Sequence, residues 1–220
     1  MFYIFHHIPK TAGVSLIAVL SKWLNVVLDY HVATDAVSLS EYASKRVDLS
    51  ILRKTDVLCG HYNIAGHYLD VRYPDVESYQ PRKIIYFRDP LATAFSGVRF
   101  GIKRGWWSES DAPKMFMQRI GYFSDMLQVS NDTYQQVLDK YWFVGITESM
   151  ESSIAVMRRM VEAHGDVWEH LPSENLNSTS EIKVSIPSFL VDEFLEKNAL
   201  DQLIYEYAVT KFCDLSSQYL

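Results

Sequence analysis

Met1-Phe2-Tyr3-Ile4-Phe5-His6-His7-Ile8-Pro9-Lys10-Thr11-Ala12-Gly13-Val14-Ser15 is the stretch from which the fold can be read. Met1 to Ile8 is apolar and aromatic and is bounded by Pro9, as a strand buried on both faces would be. From Thr11 onward the apolar residues fall at Val14, Leu16, Ile17, Val19, Leu20, Trp23 and Leu24, a spacing that predicts a helix over 11–24. The theme recurs. Asp56 to Gly60, Lys83 to Phe87 and Tyr141 to Gly145 read as further short strands. Asp89-Pro90 supplies an N-cap residue and a first-turn proline, so a helix begins there. Ser149 to Ala163 reads as another helix, Leu171 to Pro187 as a polar loop, and Ser188 to Phe212 as one or two helices. Short apolar strands alternating with helices predict an α/β fold with a mostly parallel central sheet. Nothing in the composition marks a linker, so residues 1–220 read as a single domain.

The composition supports a globular chain. Of 220 residues, 48% are apolar and 22% charged, which excludes collagen-like, low-complexity and largely disordered classes. Cys59 and Cys213 lie far apart, so a disulfide-dense scaffold and a CxxC zinc site are excluded and two free thiols are expected. The seven histidines show no metal-ligand spacing, and no metal is expected. No basic n-region with an apolar h-region is present, nor a run of about 18 apolar residues, so neither a signal peptide nor a membrane span is expected, and a cytoplasmic location is.

The net charge of −6 argues against a nucleic acid polymer as partner. Its distribution is uneven: residues 1–110 hold 13 Lys and Arg against 10 Asp and Glu, and residues 111–220 hold 8 against 17. The densest basic stretch contains Arg82, Lys83, Arg88, Arg99, Lys103 and Arg104 with Asp89 as its one acid. Such a run is either a solvated surface or a local anion site in an acidic protein.

Ligands of open parallel sheets bind outside the carboxyl ends of the strands. The residues just after the strands are therefore the ones to inspect: Lys10 to Ser15, then Gly60-His61-Tyr62-Asn63, then Arg88-Asp89-Pro90. At a strand-to-helix turn, the first helical N–H groups lack intrahelical partners and the helix dipole favours an anion. Gly13 allows close backbone approach, Thr11 and Ser15 carry hydroxyls, and Lys10 adds a positive charge. This is phosphate-binding chemistry without the GxxxxGK[ST] spacing of a Walker A loop. From these residues alone, a plain helix cap remains an equal alternative.

His7 to Leu16 closely resembles the 5′-phosphosulfate loop of carbohydrate-type sulfotransferases, written HIPKTAGTS, whose donor is 3′-phosphoadenosine 5′-phosphosulfate (PAPS). Arg88-Asp89-Pro90, with Ser96 eight positions after Arg88, resembles that family's 3′-phosphate segment. Gly145 to Glu148 and Asp201 to Phe212 are similar to weaker family features. The resemblance implies a fold related to P-loop nucleotide kinases, sulfonate transfer to a hydroxyl acceptor such as a glycan or glycolipid, and adenosine 3′,5′-bisphosphate as product. It also implies roles. Lys10 would contact the 5′-phosphate and the bridging oxygen, and the backbone of Thr11, Ala12, Gly13, Val14 and Ser15 would cradle the phosphosulfate. Arg88 and Ser96 would hold the 3′-phosphate. His61 matches the region of a catalytic histidine, and an imidazole near its ordinary pKa of about 6.5 is available as a neutral base.

The chain departs from the pattern at Val14, where the family usually has threonine, and in its last loop. There Asn177 and Ser178 offer polar groups, and Lys183 is the one basic residue to cover the nucleotide. His7, at the end of a buried strand, reads as structural, and His6 has no role assigned. Cys59 reads as an apolar filler. His67 and Glu148 compete with His61 as base, although Glu148 equally suits a helix cap. Lys103-Arg104-Gly105-Trp106-Trp107 reads either as an acceptor-binding loop, with aromatic faces for sugar rings, or as two tryptophans packed into the domain. Two readings compete with the sulfotransferase. One is an ATP-dependent kinase of related fold, and the other a catalytically silent nucleotide- or glycan-binding module.

Overall fold

The computed structural model describes residues 1–30, 36–64, 66–161 and 182–220. Its centre is β1 (Tyr3–His6), every residue of which is buried. Side chains alternate across the sheet. Tyr3 and Phe5 enter one core with Leu16, Val19, Leu20 and Phe143, while Phe2 and Ile4 enter a second with Leu58, Tyr62 and Tyr73. Burial on both faces is why this strand reads as an unbroken apolar run.

The chain continues through α1 (Gly13–Leu20), β2 (Asn25–Asp29), α2 (Ala36–Ser44), β3 (Asp56–Gly60), the short hairpin β4 (Asn63–Ile64) and β5 (His67–Tyr68), and α3 (Leu69–Arg72). It then forms β6 (Arg82–Phe87), α4 (Pro90–Lys103), α5 (Ala112–Met117), α6 (Tyr122–Leu127), α7 (Tyr134–Asp139), β7 (Phe143–Ile146), α8 (Met150–Val161), α9 (Ser188–Lys197) and α10 (Ala199–Tyr219). The main sheet has five strands in the order β2-β3-β1-β6-β7, all parallel, with Tyr3 opposite both Val57 and Arg82. The connection from β1 leaves toward β2, and the one from β6 leaves the other way, toward β7. A crevice between the carboxyl ends of β1 and β6 follows from that divergence.

Asp89 caps α4 as its sequence implies, accepting from the Ala92 N–H at 2.7 Å, with Pro90 in the first turn. The helix expected over 11–24 is shorter, however, and Asn25–Asp29 forms an edge strand that periodicity missed. The Ser21 hydroxyl donates to the Ala18 carbonyl at the end of α1, and the apolar run then passes straight into β2. Leu28 of this edge strand faces outward, so no alternation marks it. The loop expected over 171–187 lies outside the described residues up to position 181.

A buried ion pair holds the β2 side of the sheet. Arg72 is fully buried and clasps Asp29 through Nε and Nη2 at 2.8 and 2.5 Å. Its remaining donors reach the carbonyls of Tyr42 and Lys45, and the Tyr73 hydroxyl donates to Asp29. The guanidinium also stacks on the Tyr42 ring at 3.7 Å. All partners being satisfied, removal of one leaves the other charged and stranded. Asp29→Asn should therefore destabilise the fold by about 3–5 kcal/mol in urea unfolding. A loss below about 1 kcal/mol, the worth of an exposed pair, would contradict this assignment.

Candidate active site

Between β1 and α1 the backbone is bent into a tight cradle. Lys10 and Ala12 both hold positive φ, 75° and 66°, which costs a non-glycine residue about 1–3 kcal/mol. Positive φ at both residues flanking Thr11 is the kind of backbone bend found in anion nests. The cradle is pinned from several sides. The Thr11 hydroxyl donates to the Ile8 carbonyl at 2.8 Å, the Tyr122 hydroxyl to Pro9 O at 3.3 Å, and the Thr147 hydroxyl to Thr11 O at 3.3 Å. Thr11 is buried, and its hydroxyl, its N–H and its carbonyl are all engaged within the protein, so the amides left to face a ligand begin at Ala12. Ser15 is half-buried, and Val14 is 62% exposed at the mouth.

Gly13 has a different reason from the one the sequence suggested. A Cβ there would fall 1.7 Å from Nε2 of His7, so the missing side chain makes room for an imidazole beneath the loop. His7 is structural in that sense, and it is also part of a chain of polar rings. Its Nδ1 lies 2.8 Å from the Tyr30 hydroxyl and 3.0 Å from Nε2 of His61. The same strand end carries His6, whose Nδ1 lies 2.7 Å from the Tyr141 hydroxyl and whose Nε2 is buried without a partner. Burial holds all three imidazoles down, His6 and His7 to about 3 and His61 to about 4. His61 is thus neutral, as expected, but a much weaker base than a free histidine. His67 sits apart, edge-on to Tyr42.

Cations gather on the other side of the loop. The Lys10 ammonium stands 3.9 Å from the Phe100 ring centroid, with Arg104 over the same ring at 5.2 Å. Desolvation, then Arg88, Arg119 and Arg104, push the Lys10 pKa down to about 8. Among the described residues, none of these four cations has a carboxylate within 4 Å. Arg88 follows β6, and Ser96 is buried on α4 two turns beyond it. Arg119 has no motif around it and escaped the sequence analysis.

Glu148, the rival base, is occupied. Its carboxylate accepts from the Asp89 N–H at 3.0 Å and from the Tyr205 hydroxyl at 3.2 Å, joining β6, β7 and α10. Trp107 packs onto α4, where a Cβ on Gly101 would come within 2.2 Å of its ring, whereas Trp106 is exposed beside Phe100. Of the expected acceptor loop, Lys103, Arg104 and Trp106 stay at the surface. Lys183 is exposed and precedes Val184 and Ile186, which pack against the α4–α5 core. Asn177 and Ser178 lie outside the described residues. Among the described residues no cluster of His, Cys, Asp or Glu suits a metal ion, and no helix is long and apolar enough to cross a membrane.

No protein-family model matches the chain, and no curated protein sequence matches it. Its fold is similar to the crystal structure of a sulfotransferase from Alicyclobacillus acidocaldarius, with a TM-score of 0.50 over 94% of each chain at 13% identity. At that identity the likeness establishes the fold.

The three depressed imidazoles contribute stability that is fully present above pH 6.5 and is lost as pH falls toward 4 and 3, because the unfolded chain binds their protons first. Between pH 7 and pH 5, His6 accounts for about 2 kcal/mol of that loss. The decline in unfolding free energy over this interval should accordingly be about 2 kcal/mol smaller in His6→Phe than in the wild type. Equal declines in the two proteins would refute the buried neutral state of His6.

Proposed function

We propose that this chain is a PAPS-dependent sulfotransferase that moves a sulfonate to a hydroxyl, on a carbohydrate acceptor, and releases adenosine 3′,5′-bisphosphate. One observation carries the reading. Four cations, which among the described residues have no carboxylate within 4 Å, gather about the N-terminus of α1 in a chain of net charge −6. Burial and then the neighbouring arginines weaken the charged form of Lys10, a bound anion offsets both, and the donor carries roughly four negative charges, two of them on its 3′-phosphate. The residues present therefore fit the donor.

In this reading the amides of Ala12 to Ser15 and the Lys10 ammonium hold the phosphosulfate, and Arg88 with Ser96 holds the 3′-phosphate. The acceptor oxygen bonds to sulfur as the bond from sulfur to the 5′-phosphate oxygen breaks, and Lys10 stabilises the charge left on that phosphate. His61 takes the hydroxyl proton. Its Nε2 is engaged with His7, so Nδ1 is the free atom, and the Nε2 proton is then donated to His7 Nδ1. A base held at about 4 is weak, but the bound anion raises it by attraction for the imidazolium. His7, which touches His61, already senses the Lys10 charge, so the two halves of the site are electrostatically connected. Trp106 and Arg104 offer a face and a charge to a glycan at the rim.

A thermal-shift titration with adenosine 3′,5′-bisphosphate, ADP and ATP tests the donor. At a hundred times Kd the bisphosphate should raise Tm by on the order of 5–11 °C. Stabilisation by ATP alone would replace this reading with a kinase, and no stabilisation by any of them would leave a silent module. Lys10→Ala should lower turnover with PAPS by about 10²–10³ in a folded protein. Near-normal turnover would remove Lys10 from the mechanism. His61→Ala should lose turnover while keeping bisphosphate affinity, and normal turnover would reassign the base.

A further inference from the structure

Arg119 is built into its position with more care than a surface arginine needs. Its N–H donates to the Phe116 carbonyl at the end of α5. Two residues on, the Gly121 N–H is held by Asn198 Oδ1 at 2.7 Å, and the Phe123 and Ser124 amides by the buried carboxylate of Asp201. The backbone is thus fixed on both sides by elements far apart in sequence. The side chain is confined as well. Gly97 of α4 leaves the space it fills, since a Cβ there would lie 3.0 Å from the guanidinium. Trp107, seated on Gly101 one turn further, flanks it at 5.8 Å, and Tyr122 flanks it at 5.1 Å. Tyr122 joins Arg119 to the cradle, its ring lying against the guanidinium and its hydroxyl donating to Pro9 O at 3.3 Å.

A guanidinium caged by aromatic faces keeps its charge, spends little entropy on a ligand and presents a rigid fork of donors. With no carboxylate within 4 Å among the described residues, this fork has no anion of its own. We propose that Arg119 is a binding residue for the 5′-phosphosulfate end of the donor, working beside Lys10. Its packing against Tyr122, whose hydroxyl donates to Pro9 O, and its charge beside Lys10 put it at that end. The inference rests on the donor assignment above and extends it to a residue outside both motifs.

Binding of two probes locates the contact: adenosine 3′,5′-bisphosphate, and adenosine 3′-monophosphate, which lacks the 5′ group. Arg119→Gln should weaken the bisphosphate by about tenfold to a hundredfold and leave the monophosphate unchanged. Arg119→Lys, which keeps the charge without the fork, should fall between wild type and Arg119→Gln. A further readout lies beyond any merely structural role. Loss of the neighbouring cation should raise the pH at which bisphosphate binding declines, from near 8 toward the ordinary lysine value. Equal bisphosphate affinity in wild type and Arg119→Gln would overturn the Arg119 assignment alone. Equal weakening of both probes, with the pH profile unmoved, would assign Arg119 to structure and overturn it too. Failure of the wild type to bind the bisphosphate would overturn the donor assignment itself.

Discussion

Lys10 and Ala12 both sit in left-handed backbone, and the six-residue loop from His7 to Ala12 does not hold that shape unaided. It is held by bonds to its own carbonyls: Ile8 O from Thr11, Pro9 O from Tyr122 and Thr11 O from Thr147. Beneath it the His7 ring fills the space that Gly13 leaves. Each anchor comes from a different part of the chain, so the cradle exists only when β1, α6 and the end of β7 are all in place. That dependence explains why so much of the structure converges on a few peptide groups. The central sheet fixes the start of the loop, and the C-terminal helices fix α6 through Asn198 and Asp201.

The loop divides two opposite electrostatic settings. On one side, buried imidazoles stacked from β1 and β3 are held neutral by desolvation. On the other, Lys10, Arg88, Arg104 and Arg119 gather with no carboxylate within 4 Å among the described residues, and burial and these arginines weaken the lysine's hold on its proton. A neutral acceptor of protons beside a cationic nest suits the proposed transfer from a polyanionic donor to a hydroxyl. The fold likeness to a solved sulfotransferase is compatible with this division, and the chemistry rests on the residues themselves.

Much of the architecture was legible because its strands are buried on both faces. The apolar runs Met1 to Ile8, Lys83 to Phe87 and Tyr141 to Gly145 contain or overlap β1, β6 and β7, and Asp89-Pro90 marks the start of α4. The edge strand Asn25–Asp29 was not legible, since its exposed Leu28 and its direct continuation from α1 hide it in a helical pattern. Lys10, Arg88 and His61 could be singled out as candidates because each lies in the turn that follows a strand. Arg119 follows none, and Gln118-Arg119-Ile120-Gly121 has no distinguishing pattern. A faint signal did exist in Gly97 and Gly101, two glycines at i and i+4 inside a helix. Each costs about 1 kcal/mol relative to alanine there, so something must need the groove they make. The groove holds Arg119 and Trp107, which also explains why Trp107 is unavailable as a sugar-stacking surface. Burial likewise corrected His61, because no local sequence pattern reveals the desolvation that lowers its basicity.

Lys10 is a cation destabilised by burial first and by its neighbouring arginines second, and an anion at the loop would restore it. Its Nζ can be titrated directly by NMR of the lysine side chain, with and without adenosine 3′,5′-bisphosphate. The account requires a midpoint near 8 in the free protein and a rise when the bisphosphate binds. A midpoint near the ordinary lysine value of about 10.4, indifferent to the bisphosphate, would contradict it.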